Sequence, residues 1–101
     1  MPRALTASRV SVPLGREADY VATVARLATR MRARGDHLWL FRDPGAPGTF
    51  LEFCESPSAE RHPARRERDT EESALERRLE AIAAYAPGSR VMWEEVSLEE
   101  R

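Results

Sequence analysis

The chain has 101 residues, enough for one modest core and too few for two domains. Hydrophobic residues make up 42% and charged residues 33%, the balance of a globular chain rather than a disordered one. Basic and acidic residues number 16 and 17, so the net charge of −1 gives no strong pull toward nucleic acid.

The N-terminal Met1-Pro2-Arg3-Ala4-Leu5 lacks the apolar stretch of a signal peptide. Weak alternation from Leu5 to Val12 places Val10 and Val12 on one face of a strand, which Pro13 and Gly15 end. Glu17 to Arg34 reads as a helix whose buried stripe is Tyr20, Val21, Val24, Leu27, Ala28 and Met31. Its acidic first turn, its arginine-rich last turn and the following Gly35 suit the helix dipole and a helix stop.

Next comes a hairpin from His37 to Glu55, turning through Asp43-Pro44-Gly45-Ala46-Pro47-Gly48. Its expected register sets Leu40 opposite Leu51, Leu38 opposite Phe53, Phe41 opposite Phe50, Trp39 opposite Glu52 and His37 opposite Cys54. One face is then aliphatic core. The other carries Trp39, Phe41 and Phe50 with His37, Glu52 and Cys54.

Cys54 is the only cysteine, so no internal disulfide forms, and a reducing cytoplasm is expected. Ser56 and Pro57 read as the cap and first residue of a short helix that Pro63 breaks. Asp69 and Glu72 resemble a capping box for a second helix, with Leu75, Leu79, Ile82 and Ala86 on one face and Pro87-Gly88 as its end. Arg90 to Val96 reads as the last strand, and the tail to Arg101 is expected to fray. No apolar run is long enough to span a bilayer, so a soluble protein with no membrane partner is expected. All the basic residues are arginine, and lysine, asparagine and glutamine are absent, as in proteins from GC-rich bacterial genomes.

The order strand, helix, strand, strand, broken helix, strand predicts a ferredoxin-like βαββαβ α+β domain with both helices on one sheet face. The opposite face would expose three large aromatics, more than a monomer usually leaves uncovered. A second copy packed sheet to sheet is the simplest cover. A homodimer is therefore expected, with a cavity lined by those aromatics.

The run Gly35-Asp36-His37-Leu38-Trp39-Leu40-Phe41-Arg42-Asp43-Pro44-Gly45, followed by Gly48-Thr49-Phe50-Leu51-Glu52, resembles the dimeric α/β-barrel superfamily. Within it, the chain is most similar to antibiotic-biosynthesis-monooxygenase-like domains. The resemblance implies a homodimer with a pocket between sheet and helices in each subunit. Some members oxidise polycyclic aromatic substrates without metal or flavin, and others degrade haem. Both chemistries use an asparagine and a tryptophan on the helix after the hairpin. This chain has no asparagine and has Ser56-Pro57-Ser58 at that place.

Three groups are candidates for proton handling. Glu52, set against an aromatic face, would have its carboxyl raised and act as a base; the alternative is an ion pair with Arg9, Arg42 or Arg90. His37 beside Cys54 would make a thiolate, the alternative being that Cys54 is a small buried hydrophobe. His62 lies where related domains often carry a pocket histidine, yet directly before proline and amid arginines it reads as a surface residue. Arg61, Arg65, Arg66 and Arg68 would grip an acidic ligand, unless Asp69, Glu71 and Glu72 neutralise them. Two histidines and one cysteine at these spacings match no metal motif, and no cofactor is expected.

Two functions remain open. One is a non-catalytic module that binds a small apolar or aromatic ligand or simply dimerises, which the missing asparagine and helix tryptophan favour. The other is a cofactor-independent monooxygenase-like enzyme acting on a small aromatic or polyketide-like compound. In it Tyr20, Trp39, Phe41, Phe50 and Cys54 would line the site, and His37, Glu52 or His62 would move protons.

Overall fold

Even-numbered residues of the first strand turn inward and odd-numbered ones outward, and this alternation sets the layers of the molecule. The computed structural model describes residues 2–64 and 67–99. Strand β1 (Ala4–Ser11) buries Ala4, Thr6 and Val10 and lies at the centre of the sheet. On one side it pairs with β3 (Thr49–Ser56), which pairs in turn with β2 (His37–Arg42). Its other edge holds two short pieces, β4 (Ala84–Tyr85) beside Val10 and β5 (Met92–Glu94) beside Leu5. All pairs are antiparallel, and the order β2-β3-β1-β4 is that of the ferredoxin-like fold, with its last strand in two pieces.

Helix α1 (Glu17–Ala33) buries Tyr20, Thr23, Val24, Leu27 and Met31, whereas Val21 is largely exposed. Helix α2 (Thr70–Ile82) buries Leu75, Leu79 and Ile82, which join Val10, Val12 and Phe50 in one core cluster. The Asp69 carboxylate accepts the Glu72 amide at 2.8 Å, satisfying an orphan donor at the helix start. The same carboxylate takes Arg30 at 2.7 Å and Arg34 at 2.5 Å. The Glu72 carboxylate does not return to the cap as in a full capping box; it meets Arg34 Nε at 2.9 Å. The end of α1 is thus clamped to the start of α2.

The hairpin is shifted by one residue from the register expected of its pattern. Leu38 faces Cys54, Trp39 faces Phe53, Leu40 faces Glu52, Phe41 faces Leu51 and His37 faces Glu55. The pattern could not discriminate, because both faces of both strands carry large apolar residues. The turn and β1 decide instead. The Gly48 carbonyl accepts the Val12 amide at 2.7 Å, and β1 sets Val10 opposite Phe50. Gly48 has φ +79°, and a Cβ there would lie 2.6 Å from the Val12 oxygen, so only glycine allows this approach. Phe50 is therefore buried, with its ring 5.1 Å from that of Tyr20, and not part of an exposed face.

Two helix expectations are also corrected. The segment after β3 runs through bends and turns, with no helix at Ser56–Glu60. Helix α2 stops at Ile82 instead of continuing to Ala86, because Ala83 is extended (φ −129°, ψ 154°) and carries Ala84–Tyr85 to the edge of β1. No helix among the described residues is long and apolar enough to cross a membrane.

Candidate functional site

The shifted register turns Glu52 toward the helices, where an unpartnered carboxylate would be costly. Two tyrosines supply its partners. Tyr20, in the first turn of α1, donates its hydroxyl to Glu52 Oε2 at 2.5 Å, and Tyr85, from β4, donates to the same oxygen at 2.6 Å. Burial pushes the Glu52 carboxyl up from the ordinary value of 4.5, while the two hydroxyls and the more distant Arg90 pull it back only in part. Burial and the neighbouring carboxylate push both tyrosine hydroxyls well above their ordinary range, so they stay protonated donors.

Glu52 and Tyr85 border a cavity of about 90 Å³ between the sheet and the two helices, walled by Leu27, Met31, Leu38 and Leu79. Ser8, Cys54, Glu76, Glu80, Arg68 and Arg90 complete the lining. The arrangement offers a slot with apolar walls, the tyrosine-held Glu52 carboxylate on its sheet side and the ion-paired Glu76 and Glu80 on its helix side. Glu52 and Cys54 of the expected site residues line it, and Tyr20 is joined to it through its hydrogen bond to Glu52. The ion pair expected for Glu52 is replaced by the tyrosine pair: Arg9 lies opposite Leu51 on the outer face, and Arg42 sits over the Phe50 ring at 5.5 Å.

The other expected residues lie elsewhere. His62 is 1% exposed, not a surface residue. Its Nδ1 accepts the Ala64 amide at 3.0 Å, which leaves Nε2–H to donate to the Cys54 carbonyl at 3.2 Å. The imidazole thereby ties the turn after the hairpin back onto β3. His37, Trp39 and Phe41 are on the outer sheet face; the His37 ring stacks on Trp39 at 5.3 Å, and its Nδ1 lies 3.5 Å from Glu55. His37 and Cys54 occupy opposite faces, so the imidazole–thiol pair does not form. The cavity expected between Trp39, Phe41, Phe50, His37, Glu52 and Cys54 is therefore not one space. In the basic cluster, Arg61 donates to the Arg34 carbonyl and Arg68 pairs with Glu76; Arg65 and Arg66 lie outside the described residues. Among the described residues no group of three or more His, Cys, Asp or Glu side chains is placed to hold a metal.

Tyr85 was not legible as a site residue, because the run Leu79, Ile82, Ala83 and Ala86 reads as unbroken helix. The available signal is Pro87-Gly88, which leaves room for a short extended segment just before the turn.

No protein-family profile matches the chain, and no curated protein matches it in sequence. Solved structures do. A protein of Bordetella bronchiseptica provisionally assigned as an antibiotic biosynthesis monooxygenase superposes with a TM-score of 0.68 at 19% identity, covering 96% of this chain and 100% of that one. SnoaB, a cofactor-independent oxygenase of Streptomyces nogalater, in an asparagine-to-alanine mutant form, gives 0.72 at 14% identity, covering 97% and 95%. At these identities the likeness is one of fold: the chain has the ferredoxin-like fold of these two structures.

Proposed function

We propose that this protein is a homodimeric small-molecule-binding module whose ligand, an apolar or aromatic compound with a hydroxyl or similar donor, enters the space beside Glu52. One observation carries the reading: a buried carboxylate, held by the Tyr20 and Tyr85 hydroxyls, faces an apolar cavity. A carboxylate among leucines and a methionine weakens a core, and a ligand donor is what such a group can serve. The cavity of about 90 Å³ is smaller than the roughly 300–1,000 Å³ of ordinary ligand sites, so binding requires the rim to open. The test is calorimetric titration with 2-naphthol. Saturable binding that Glu52→Leu abolishes supports the reading; binding that survives this change, or no binding at all, contradicts it.

Homodimerisation through the outer sheet face is part of the proposal. Trp39, Phe41 and Trp93 are 43%, 55% and 62% exposed there, with Phe53 opposite Trp39 and Leu51 opposite Phe41. These apolar side chains favour a partner of the same chemistry.

The raised Glu52 carboxyl favours a second reading, cofactor-independent oxygenation. Glu52 would take a proton from an anthrone-type CH₂ group; reaction of the carbanion with O₂ would then give the ketone and water. Oxygen uptake with anthrone that Glu52→Gln abolishes would support it. Uptake that is unchanged in the variant would contradict it.

A further inference from the structure

Arg68 and Arg90 line the Glu52 cavity and also an open cleft of about 400 Å³, and they are the two residues that both spaces share. Each is held by one carboxylate of α2: Arg68 Nη1 meets Glu76 Oε2 at 2.5 Å, and Arg90 Nη2 meets Glu80 Oε1 at 2.5 Å. Glu76 and Glu80 are one helical turn apart and therefore share a face. The Arg90 side chain is 63% exposed and lies within electrostatic reach of Glu52, Glu76 and Tyr85.

A guanidinium carries five donors, and one carboxylate contact uses few of them. Arg68 Nε is buried with no acceptor among the described residues. The two arginines thus hold donor capacity that their carboxylate partners do not use. Their present partners are replaceable. A ligand carboxylate offers Arg68 the same kind of partner as Glu76 does, and Glu80 stands on a half-exposed helix position from which it can swing into water. With the two ion pairs released, the two spaces join into a volume within the roughly 300–1,000 Å³ of ordinary ligand sites.

We propose that Arg68 and Arg90 are the specificity element of this site, and that its ligand is an amphiphilic acid. The apolar, donor-bearing end lies against Glu52 in the inner cavity, and the carboxylate end spans the two guanidiniums in place of Glu76 and Glu80. This inference rests on the proposed ligand site at Glu52 and adds the charge class of the ligand. Arg68 and Arg90 are positioning residues that select and orient the ligand.

The experiment compares 2-naphthol with 6-hydroxy-2-naphthoate by calorimetric titration. A charge-assisted, two-arginine contact predicts that the carboxylate probe binds about tenfold tighter, with the advantage shrinking at high salt. Arg68→Gln with Arg90→Gln removes the advantage: the ratio of the two affinities falls to about one, whatever the change does to 2-naphthol itself. Glu76→Gln with Glu80→Gln, which takes away the competing anions, enlarges it; this opposite-signed change guards against mere misfolding. Equal affinity for the two probes, or an advantage that both double variants leave untouched, overturns the inference and leaves the Glu52 site standing. Failure of both probes to bind overturns the site and the inference together.

Discussion

Glu52 Oε2 takes two hydroxyl donors, and losing either one leaves a buried carboxylate with half of its support. Tyr20→Phe or Tyr85→Phe is expected to lower stability by roughly 1–2 kcal/mol each, the worth of a buried hydrogen bond to an ionisable group. The double variant should cost more than the sum, since each single variant keeps one donor on the buried carboxylate and the double variant keeps neither. Chemical denaturation of the four proteins checks this. The pH dependence has a defined sign. Burial raises the folded Glu52 carboxyl above 4.5, so between 4.5 and its folded value the native state holds more protons than the unfolded one. Stability therefore falls as pH rises through that window. Glu52→Gln should flatten the fall, read as the difference in denaturation midpoint between pH 4 and pH 7. Glu76 contributes in the same direction and remains in the variant, so the flattening is partial. Asp69 acts oppositely and at lower pH. Its carboxyl is held down to about 2 by the Glu72 amide and by Arg30 and Arg34, so its contribution is lost only as pH falls from 3.8 through that value.

At the scale of elements, the hairpin determines which side chains the helices see. Phe50→Ala is expected to cost about 3–5 kcal/mol, the range for emptying a buried aromatic position. In the register read from the pattern alone, Phe50 would face outward and the change would be mild, so thermal denaturation of this variant separates the two registers. Much of the element order was legible: the stripe of Tyr20, Val24, Leu27 and Met31, the cap at Asp69, and the turn at Asp43–Gly48 are all local signals. The hairpin register was not, because it is set by contacts distant in sequence, Gly48 with Val12 and Phe50 with Val10. One residue of slip moved Glu52 and Cys54 from the aromatic face to the helix face. The site was accordingly half legible: Tyr20 and Glu52 stood out by chemistry, while Tyr85 and the buried role of His62 depended on where the chain turned after α2 and β3.

For the molecule as a whole, the inner face of the sheet is covered by the two helices, and the outer face presents Trp39, Phe41, Leu51, Phe53 and Trp93. The proposed homodimer predicts a light-scattering mass of twice the 11.4 kDa chain at micromolar concentration. Trp39→Glu with Phe41→Arg should reduce it to the monomer mass without loss of helix content. A wild-type monomer under those conditions contradicts dimerisation through this face. The ligand site at Glu52 is built from one chain and would survive that outcome.

Glu52, a caged, hard-to-ionise carboxylate that a ligand can reach, is best followed by ¹³C NMR of its carboxyl carbon. The expected titration midpoint is above 4.5 in the free protein and higher still in Tyr20→Phe, with a resonance displaced when 2-naphthol is added. A midpoint at or below 4.5, with a signal that ignores the added phenol, would contradict it.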